Sequence, residues 1–238
     1  MKLDILAIGV HPDDVELSAS GTLLKHIALG KKCGILDLTS GELGTRGSGP
    51  LRLLEAAEAA KVLGLSVRDN LGMADGFFVN DKEHQLAIIK KIREYQPEII
   101  LCNAVSDRHP DHGRAAQLVS EACFYSGLRK VETELNSVAQ QAWRPKAVYH
   151  YIQDRQLKPD FVVDVTPYME KKMEAIRAFK SQFYDPDSKE PESPISVKNF
   201  FEVVSGKMSV FGRDAGYDFA EGFTVERTIG VANLFDIK

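Results

Sequence analysis

The chain has 238 residues, enough for one large α/β domain or two small ones, and its 44% hydrophobic content suffices for a packed core. The formal net charge is −4 and no Lys/Arg-rich run occurs, which argues against a nucleic-acid partner. No apolar stretch approaches the roughly 18 residues of a membrane span. We therefore expect one domain over 1–238 that binds a small molecule, with neither a nucleic-acid nor a membrane partner.

The cysteines and the N-terminal residues indicate the compartment. Cys33, Cys102 and Cys123 lie in apolar segments, which favours buried thiols over a disulfide framework or a zinc cluster. A strand begins almost at the N-terminus, without a basic segment and small-residue cleavage site. We expect a cytoplasmic protein.

Short apolar runs alternate with longer segments of helical period along the chain. This alternation predicts βαβ units in a Rossmann-like, mostly parallel α/β sheet with helices on both faces. Strands are predicted, in chain order, over 3–10, 33–39, 67–71, 98–104, 146–151 and 161–165. Helices are predicted over 20–30, 50–63, 83–95, 113–128 and 167–183. The last helix is expected to expose a run of solvated charges: Glu170, Lys171, Lys172 and Glu174.

Two segments interrupt the alternation. The glycine-rich segment 40–49 leaves the second strand at its carboxyl end, and we interpret it as a loop that lines a site. The segment 184–195, rich in Pro, Asp, Ser and Glu, is interpreted as a surface loop without a functional role.

Two short histidine–carboxylate clusters follow predicted strands. His11-Pro12-Asp13-Asp14 comes directly after the first strand, and His109-Pro110-Asp111-His112 comes a few residues after the fourth. Open α/β sheets bind ligands at the carboxyl ends of their strands. If the strand order is 3-2-1-4-5, the first and fourth strands are neighbours. The two clusters would then face each other.

The residue types in these clusters suit a metal ion. A catalytic zinc site uses three protein ligands and leaves one position for water. His11, Asp14 and His112 are the predicted ligands, with zinc preferred, although Fe²⁺ or another first-row divalent ion fits the same set. One His-Pro-Asp-Asp sequence alone could be a capped turn, and it is the second cluster that favours a metal site. The remaining histidines are interpreted as surface or packing residues: His26, His84 and His150.

Three polar neighbours of these ligands suit hydrolysis. A metal-activated water needs a carboxylate to accept its proton, and Asp13 is the predicted general base. A protonated His109 could stabilise the oxyanion and later protonate the departing nitrogen. Asp111 could orient His109 and favour its charged form.

The motifs resemble those of the PIG-L/LmbE-like family of zinc-dependent N-acetylglucosamine deacetylases. The first family motif is similar to Val10-His11-Pro12-Asp13-Asp14-Val15-Glu16, followed by Gly21-Thr22, and the second to His109-Pro110-Asp111-His112. The loop–helix element also matches, at Arg46, Arg52-Leu53-Leu54-Glu55-Ala56 and Leu63-Gly64. Asp107-Arg108, Ser181-Gln182-Phe183 and Ala220-Glu221-Gly222-Phe223 are similar to the bacillithiol-pathway branch of the family. Leu17-Ser18-Ala19-Ser20 departs from the commoner pattern but leaves every proposed ligand in place.

The resemblance implies a substrate and an assembly. It implies release of acetate from N-acetylglucosaminyl-L-malate in bacillithiol biosynthesis, with the ligands and catalytic residues assigned above. Arg52 would contact the sugar or its aglycone. Arg46 and Arg108 could pair with the malate carboxylates, because a guanidinium binds carboxylates bidentately, or could instead form surface ion pairs. Members of the family are often homo-oligomers, frequently hexamers.

Two alternative functions remain open. The same chemistry could deacetylate another N-acetylated sugar, such as diacetylchitobiose. A different class would be a Rossmann-type binding module with a structural metal. Against it, no G-x-G-x-x-G sequence follows the first strand, and no fourth protein ligand is evident.

Overall fold

A computed structural model describes residues 1–237, apart from the side chain of Asp236. Its strands are β1 (Ile5–Gly9), β2 (Cys33–Thr39), β3 (Val67–Met73), β4 (Ile99–Cys102), β5 (Glu134–Leu135), β6 (Val138–Ala139), β7 (Ala147–Tyr151), β8 (Phe161–Asp164) and β9 (Ala220–Val225). Its α-helices are α1 (Asp14–Ser18), α2 (Ser20–Ala28), α3 (Gly49–Leu63), α4 (Lys82–Tyr95), α5 (Pro110–Ser126), α6 (Met169–Arg177) and α7 (Phe200–Arg213). Thr166–Tyr168 and Leu234–Asp236 form short 3₁₀ helices.

Seven strands form one sheet in the order β3-β2-β1-β4-β7-β9-β8. The first five strands of this order run parallel, whereas β9 is antiparallel to both β7 and β8. In the central register, Ile5 of β1 lies opposite Cys33 of β2 and Ile99 of β4. The mostly parallel α/β sheet and the neighbouring positions of β1 and β4 are therefore confirmed.

Helices cover both faces of the sheet. Side chains of a strand alternate between faces, so β1 contributes to two apolar clusters. Leu6 and Ile8 belong to a cluster with Leu118 of α5, and Ile5 belongs to another with Leu23 of α2. The apolar character of β1 on both sides is thus explained by burial between two helical layers.

Two features of α6 differ from the sequence prediction. The helix ends at Arg177 rather than at 183, and the main-chain N–H of Ser181 donates to the Glu55 carboxylate (2.7 Å) instead of to a helical carbonyl. Lys172, expected in solvent, is fully buried, with Nζ 2.7 Å from Glu221 Oε1. Lys172 Nζ also donates to two carbonyls at the end of α1, so its burial leaves no ammonium donor unpaired.

Several elements were absent from the sequence prediction, namely α1, the β5–β6 hairpin, α7 and β9. Ser193, Pro194 and Ile195 of the loop 184–195 line the same cavity as His11 and His112, a position that the sequence did not predict. All three cysteines are buried free thiols, as expected. Within residues 1–237, no helix has the length and apolarity needed to cross a membrane.

Candidate metal centre and active site

The two histidine–carboxylate clusters meet at the carboxyl edge of the sheet. His11 follows β1, and His109 occupies the position that caps the N-terminus of α5. The centroid of the His109 ring lies 4.8 Å from that of His11 and 5.1 Å from that of His112. The expectation that the clusters face each other is confirmed.

His112 has one ring nitrogen held by a carboxylate and the other directed to Asp14. Its Nδ1 lies 2.5 Å from Asp107 Oδ2, and its Nε2 lies 3.2 Å from Asp14 Oδ1. A carboxylate on one nitrogen fixes the tautomer and leaves the other nitrogen as the ligand atom, the usual arrangement of histidines that bind metals. The sequence identified Asp107 only as part of a motif shared with the family. The structure places its carboxylate against Nδ1 of His112.

His11 lies on the other side of Asp14. His11 Nδ1 is 3.7 Å from Asp14 Oδ2, and His11 Nε2 is 2.9 Å from Asp75 Oδ1. Ligand atoms about 2.0–2.2 Å from a tetrahedral ion are separated from one another by roughly 3.4 Å. The 3.2 Å between Asp14 Oδ1 and His112 Nε2 is near this spacing, so this pair of donors fits a metal ion, whereas the 3.7 Å contact of His11 Nδ1 is with the other Asp14 oxygen.

Two groups of three side chains, neither of which includes Asp14, bring their donor atoms within 4.8 Å of one another. One consists of His11, His109 and His112, and the other of His11, Asp75 and Asp111. Both include His11. The structure therefore places a candidate metal-binding group of histidines and aspartates where the sequence predicted one.

The charges around this group favour a cation. Burial opposes protonation of His11, but hydrogen bonds to Asp111 and Asp75 and the charge of Asp14 raise its pKa to about 9. Burial likewise opposes charge on His112, but the Asp14 charge and the Asp107 hydrogen bond raise its pKa to about 10. The negative field that stabilises these imidazolium ions would stabilise a bound divalent cation as well.

Asp13 is a buried carboxylate beside the metal-binding group. Its φ of 119° is in the left-handed region, which is rare for a residue with a side chain and recurs at functional sites. Burial raises the pKa of Asp13 to about 7, although the nearby charge of Arg52 opposes this shift. A carboxyl group with a pKa near neutrality suits general-base chemistry.

Arg52 projects from the first turns of α3 toward Asp13. Ser48 caps this helix by accepting from the Leu51 N–H, and Gly64, with φ 72°, ends it. Arg52 Nη2 lies 3.0 Å from Asp13 Oδ2 and donates to the Pro12 carbonyl (2.5 Å). Arg52 also lines the cavity, but its ion pair is with Asp13.

His109 and Asp111 meet differently from the sequence prediction. The main-chain N–H of Asp111, not its carboxylate, contacts His109 Nδ1 (3.3 Å). The Asp111 carboxylate accepts from Gly76 N (2.9 Å) and Arg114 Nη1 (2.8 Å). The Asp111 carboxylate thus contacts Gly76 and Arg114 rather than the His109 ring, although its charge raises the pKa of His109 as predicted.

The protonation of His109 also differs from the prediction. Burial, together with the charges of His11 and His112, lowers the pKa of His109. A neutral His109 whose Nδ1 accepts a hydrogen bond carries its proton on Nε2. It can therefore donate a hydrogen bond from Nε2 without being an imidazolium ion.

The cavity has a volume of about 480 Å³. Arg46 and Arg108 both line it. Arg108 is half exposed and pairs with Asp154 (2.5 Å), the surface ion pair considered as its alternative role. Arg46 is buried, with Nε 3.7 Å from Glu190 Oε2 and no hydrogen-bond partner for Nε among the described residues. Each of the two arginines that line the cavity therefore has a carboxylate near its guanidinium group.

A buried ion-pair network beneath α1 escaped the sequence analysis. Arg68 of β3 donates to Asp37 of β2 (2.8 Å) and to Glu16 of α1 (2.5 Å). The network fastens the short helix that starts at Asp14 onto the sheet. Asp37, a charge inside an otherwise apolar strand run, was the sequence signal that could have revealed it.

The chain is similar to several known proteins. The profile of the PIG-L family, described as GlcNAc-PI de-N-acetylase, matches residues 6–123. The diacetylchitobiose deacetylase of Thermococcus kodakarensis is 29% identical, over 92% of this chain and 81% of that protein. A probable N-acetyl-alpha-D-glucosaminyl L-malate deacetylase 2 of Bacillus anthracis is 26% identical, over 75% of this chain and 81% of that protein.

Two further proteins complete the comparison. The 4-oxalmesaconate hydratase of Pseudomonas putida is 26% identical, over 74% of this chain and 73% of that protein. The crystal structure of the conserved protein TT1542 from Thermus thermophilus superposes with a TM-score of 0.86 and 32% identity, covering 98% of each chain.

Fold and site together define an α/β protein with a candidate metal-binding group at the carboxyl edge of a mostly parallel sheet. The chain belongs to the PIG-L family, which includes deacetylases of substrates of the N-acetylglucosamine type. The family resemblance drawn from the two histidine–carboxylate motifs is confirmed.

Proposed function

We propose that the protein is a metal-dependent hydrolase that removes the acetyl group from an N-acetylglucosamine conjugate. One observation supports this proposal above the others: buried Asp13, with a pKa of about 7, lies beside a His/Asp metal-binding group in the same cavity. A metal site paired with a neutral-range base is the arrangement that hydrolysis of an amide requires.

His11, Asp14 and His112 would hold the ion, with zinc preferred and Fe²⁺ compatible with the same donors. When bound, such an ion would polarise the amide carbonyl and lower the pKa of a coordinated water to about 7. Asp107 supports this assignment, since it holds the proton on His112 Nδ1 and leaves Nε2 free.

Asp13 would accept the proton of the attacking water. Arg52 lies against Asp13 and the Pro12 carbonyl, so it holds the carboxylate in place and stabilises its ionised form. In this proposal Arg52 acts through Asp13 rather than by binding the aglycone.

His109 would donate a hydrogen bond from Nε2. The N–H of Asp111 donates to His109 Nδ1, so Nε2 carries the ring proton. It can donate a hydrogen bond to the carbonyl oxygen of the amide, which becomes negative during attack. The proton that Asp13 takes from the attacking water could then pass to the departing nitrogen. Asp111 would contribute through its main chain, by capping α5 together with His109.

N-acetylglucosaminyl-L-malate is the proposed substrate, as in bacillithiol biosynthesis. The malate deacetylase relative supports it, and Arg46 and Arg108 bring two guanidinium groups to the lining of the cavity. Arg108 could join Arg46 only by leaving Asp154. Diacetylchitobiose is the alternative substrate, supported by the Thermococcus relative that spans most of the chain.

A hydratase is the second candidate, because one relative is 4-oxalmesaconate hydratase. Activation of water serves both reactions. Deacetylation is favoured here because the family profile and the longest of these curated matches both name deacetylases.

An assay of acetate release by the metal-loaded protein tests the proposal. The substrates are N-acetylglucosaminyl-L-malate, diacetylchitobiose and free N-acetylglucosamine, with 4-oxalmesaconate hydration followed in parallel. We expect acetate from the malate conjugate at the highest kcat/KM. Hydration without acetate release from any sugar would overturn the proposal, and faster acetate release from diacetylchitobiose would replace the substrate.

A homo-oligomer in the cytoplasm also belongs to this proposal: the oligomer rests on the family resemblance, and the compartment is supported by the three free cysteines. Light scattering of the purified protein would test the oligomeric state.

A further inference from the structure

Two side-chain amides hold both carboxylate oxygens of Asp14. Asn103 Nδ2 donates to Asp14 Oδ2 (2.9 Å), and Gln153 Nε2 donates to Asp14 Oδ1 (3.1 Å). All three residues are buried, and Asn103 has no exposed surface. Neither amide has a part in the proposed reaction, so their contacts with a candidate ligand need a separate explanation.

Main-chain groups fix the orientation of both amides. Asn103 Oδ1 accepts from the Val10 N–H (3.0 Å), and Gln153 Oε1 accepts from the Ala104 N–H (3.1 Å). A main-chain N–H can only donate, so it must face the amide oxygen rather than the amide nitrogen. The NH₂ group of each amide is consequently directed at Asp14.

The two amides are also bonded to each other. Asn103 Nδ2 uses its second hydrogen to donate to Gln153 Oε1 (2.9 Å). The second hydrogen of Gln153 Nε2 faces His112 Nε2 at 3.4 Å. Three of the four amide hydrogens of the pair are therefore engaged by Asp14 or by the partner amide, and the two amides form one linked unit rather than two independent contacts.

This unit draws on three neighbouring strands. Val10 follows β1, Asn103 and Ala104 follow β4, and Gln153 lies just beyond β7. These strands are adjacent in the sheet. The sheet fixes the relative positions of these residues, and their hydrogen bonds therefore fix the position of the Asp14 carboxylate.

A count of acceptor positions shows what the unit leaves free. An ionised carboxylate offers about four lone-pair sites. The Oδ2 atom of Asp14 accepts from the His11 N–H (3.0 Å) and from Asn103, while Oδ1 accepts from Gln153. The remaining site is on Oδ1, the oxygen 3.2 Å from His112 Nε2.

We propose that Asn103 and Gln153 are positioning residues that present Asp14 to the cation through Oδ1 alone. The proposal rests on the assignment of Asp14 and His112 as ligands in the proposed function. Because amide N–H groups only donate, they hold both Asp14 oxygens as acceptors, the form in which a carboxylate binds a metal. Loss of either amide would free the carboxylate to rotate away from His112.

The test measures metal affinity rather than turnover. Gln153→Met and Asn103→Leu remove the donors with little change in side-chain size. Each variant should bind Zn²⁺ roughly 10- to 100-fold more weakly in a competition titration, the usual effect of losing a residue that orients a ligand. The visible spectrum of the Co²⁺-loaded protein, which reports coordination geometry, should change in both variants.

Gln182→Met is the matched control. Gln182 is a buried amide in the same cavity, but it donates to the Arg46 carbonyl and to Ser181. Its zinc affinity and Co²⁺ spectrum should equal those of the unmodified protein. Thermal melting of the metal-free proteins identifies any variant that fails to fold. If Asn103→Leu fails, Gln153→Met carries the test, since Gln153 lies on the cavity wall.

Unchanged zinc affinity and an unchanged Co²⁺ spectrum in folded Gln153→Met would overturn the proposal. The double variant gives a second criterion. Because the amides act as one unit, its affinity loss should be smaller than the product of the two single losses, and a fully multiplicative loss would contradict the unit. Metal affinity is measured without substrate, so a failure of the deacetylase assignment would leave this result intact.

Discussion

Arg52 Nη2 lies 3.0 Å from Asp13 Oδ2, so the proposed general base is paired with a buried guanidinium instead of facing the cavity alone. Burial and the charge of Arg52 have opposite effects on the pKa of Asp13. Burial raises the pKa of Asp13 to about 7, and the charge of Arg52 limits that rise. The result is a carboxylate that is about half ionised at pH 7 and basic enough to accept a proton.

Asp13→Asn should separate the base from the ligands. The substitution keeps the size of the side chain but removes its ability to accept a proton from water. We expect metal content close to that of the unmodified protein and kcat reduced by roughly 10²-fold or more. Metal analysis and acetate release on the same preparation check this, and loss of the metal would instead make Asp13 a ligand.

The pH dependence of the rate should report the Asp13–Arg52 pair. Activity requires ionised Asp13, so kcat/KM should fall as pH decreases through about 7, the value to which burial raises the pKa of Asp13. Arg52 lowers that pKa, so Arg52→Met should move the acidic limb to higher pH. Arg52→Lys keeps the positive charge and should move it less. Profiles that superpose for all three proteins would show that Asp13 does not control this limb.

His109→Asn should reduce kcat much more than it raises KM. Asparagine is a good helix cap, so α5 should keep its N-terminal hydrogen bond while the ring is lost. The proton on His109 Nε2 matters mainly after the tetrahedral oxyanion has formed, which places its effect in kcat. An increase confined to KM would make His109 a substrate-binding residue.

Lys172→Met should destabilise the fold strongly. It leaves the Glu221 carboxylate buried without its ion-pair partner, a change that costs about 3–5 kcal/mol in the free energy of unfolding. The adjacent Lys171 pairs with Glu174 at the surface, so Lys171→Met should change that free energy by less than about 1 kcal/mol. Urea denaturation of the metal-free variants measures both, and equal effects would contradict the buried role of Lys172.

Sequence periodicity identified the elements that carry the site, because β1, β2 and β4 are apolar runs buried on both faces. It failed for Lys172, since a charged residue at a helical surface position gives no sign of a partner 49 residues away in β9. The ligand candidates were found because they occupy strand ends within motifs. Asp75 and Gln153 were missed because each is a lone polar residue brought to the site by tertiary packing.

The central claim is that acetate release depends on one metal ion held by His11, Asp14 and His112. Stepwise addition of Zn²⁺ to the metal-free protein, with N-acetylglucosaminyl-L-malate present, tests it most directly. Acetate release should rise in proportion to bound zinc and reach its plateau at one ion per chain, and His112→Ala should show neither. Full activity in the metal-free protein, or stoichiometric zinc and normal turnover in His112→Ala, would contradict the claim.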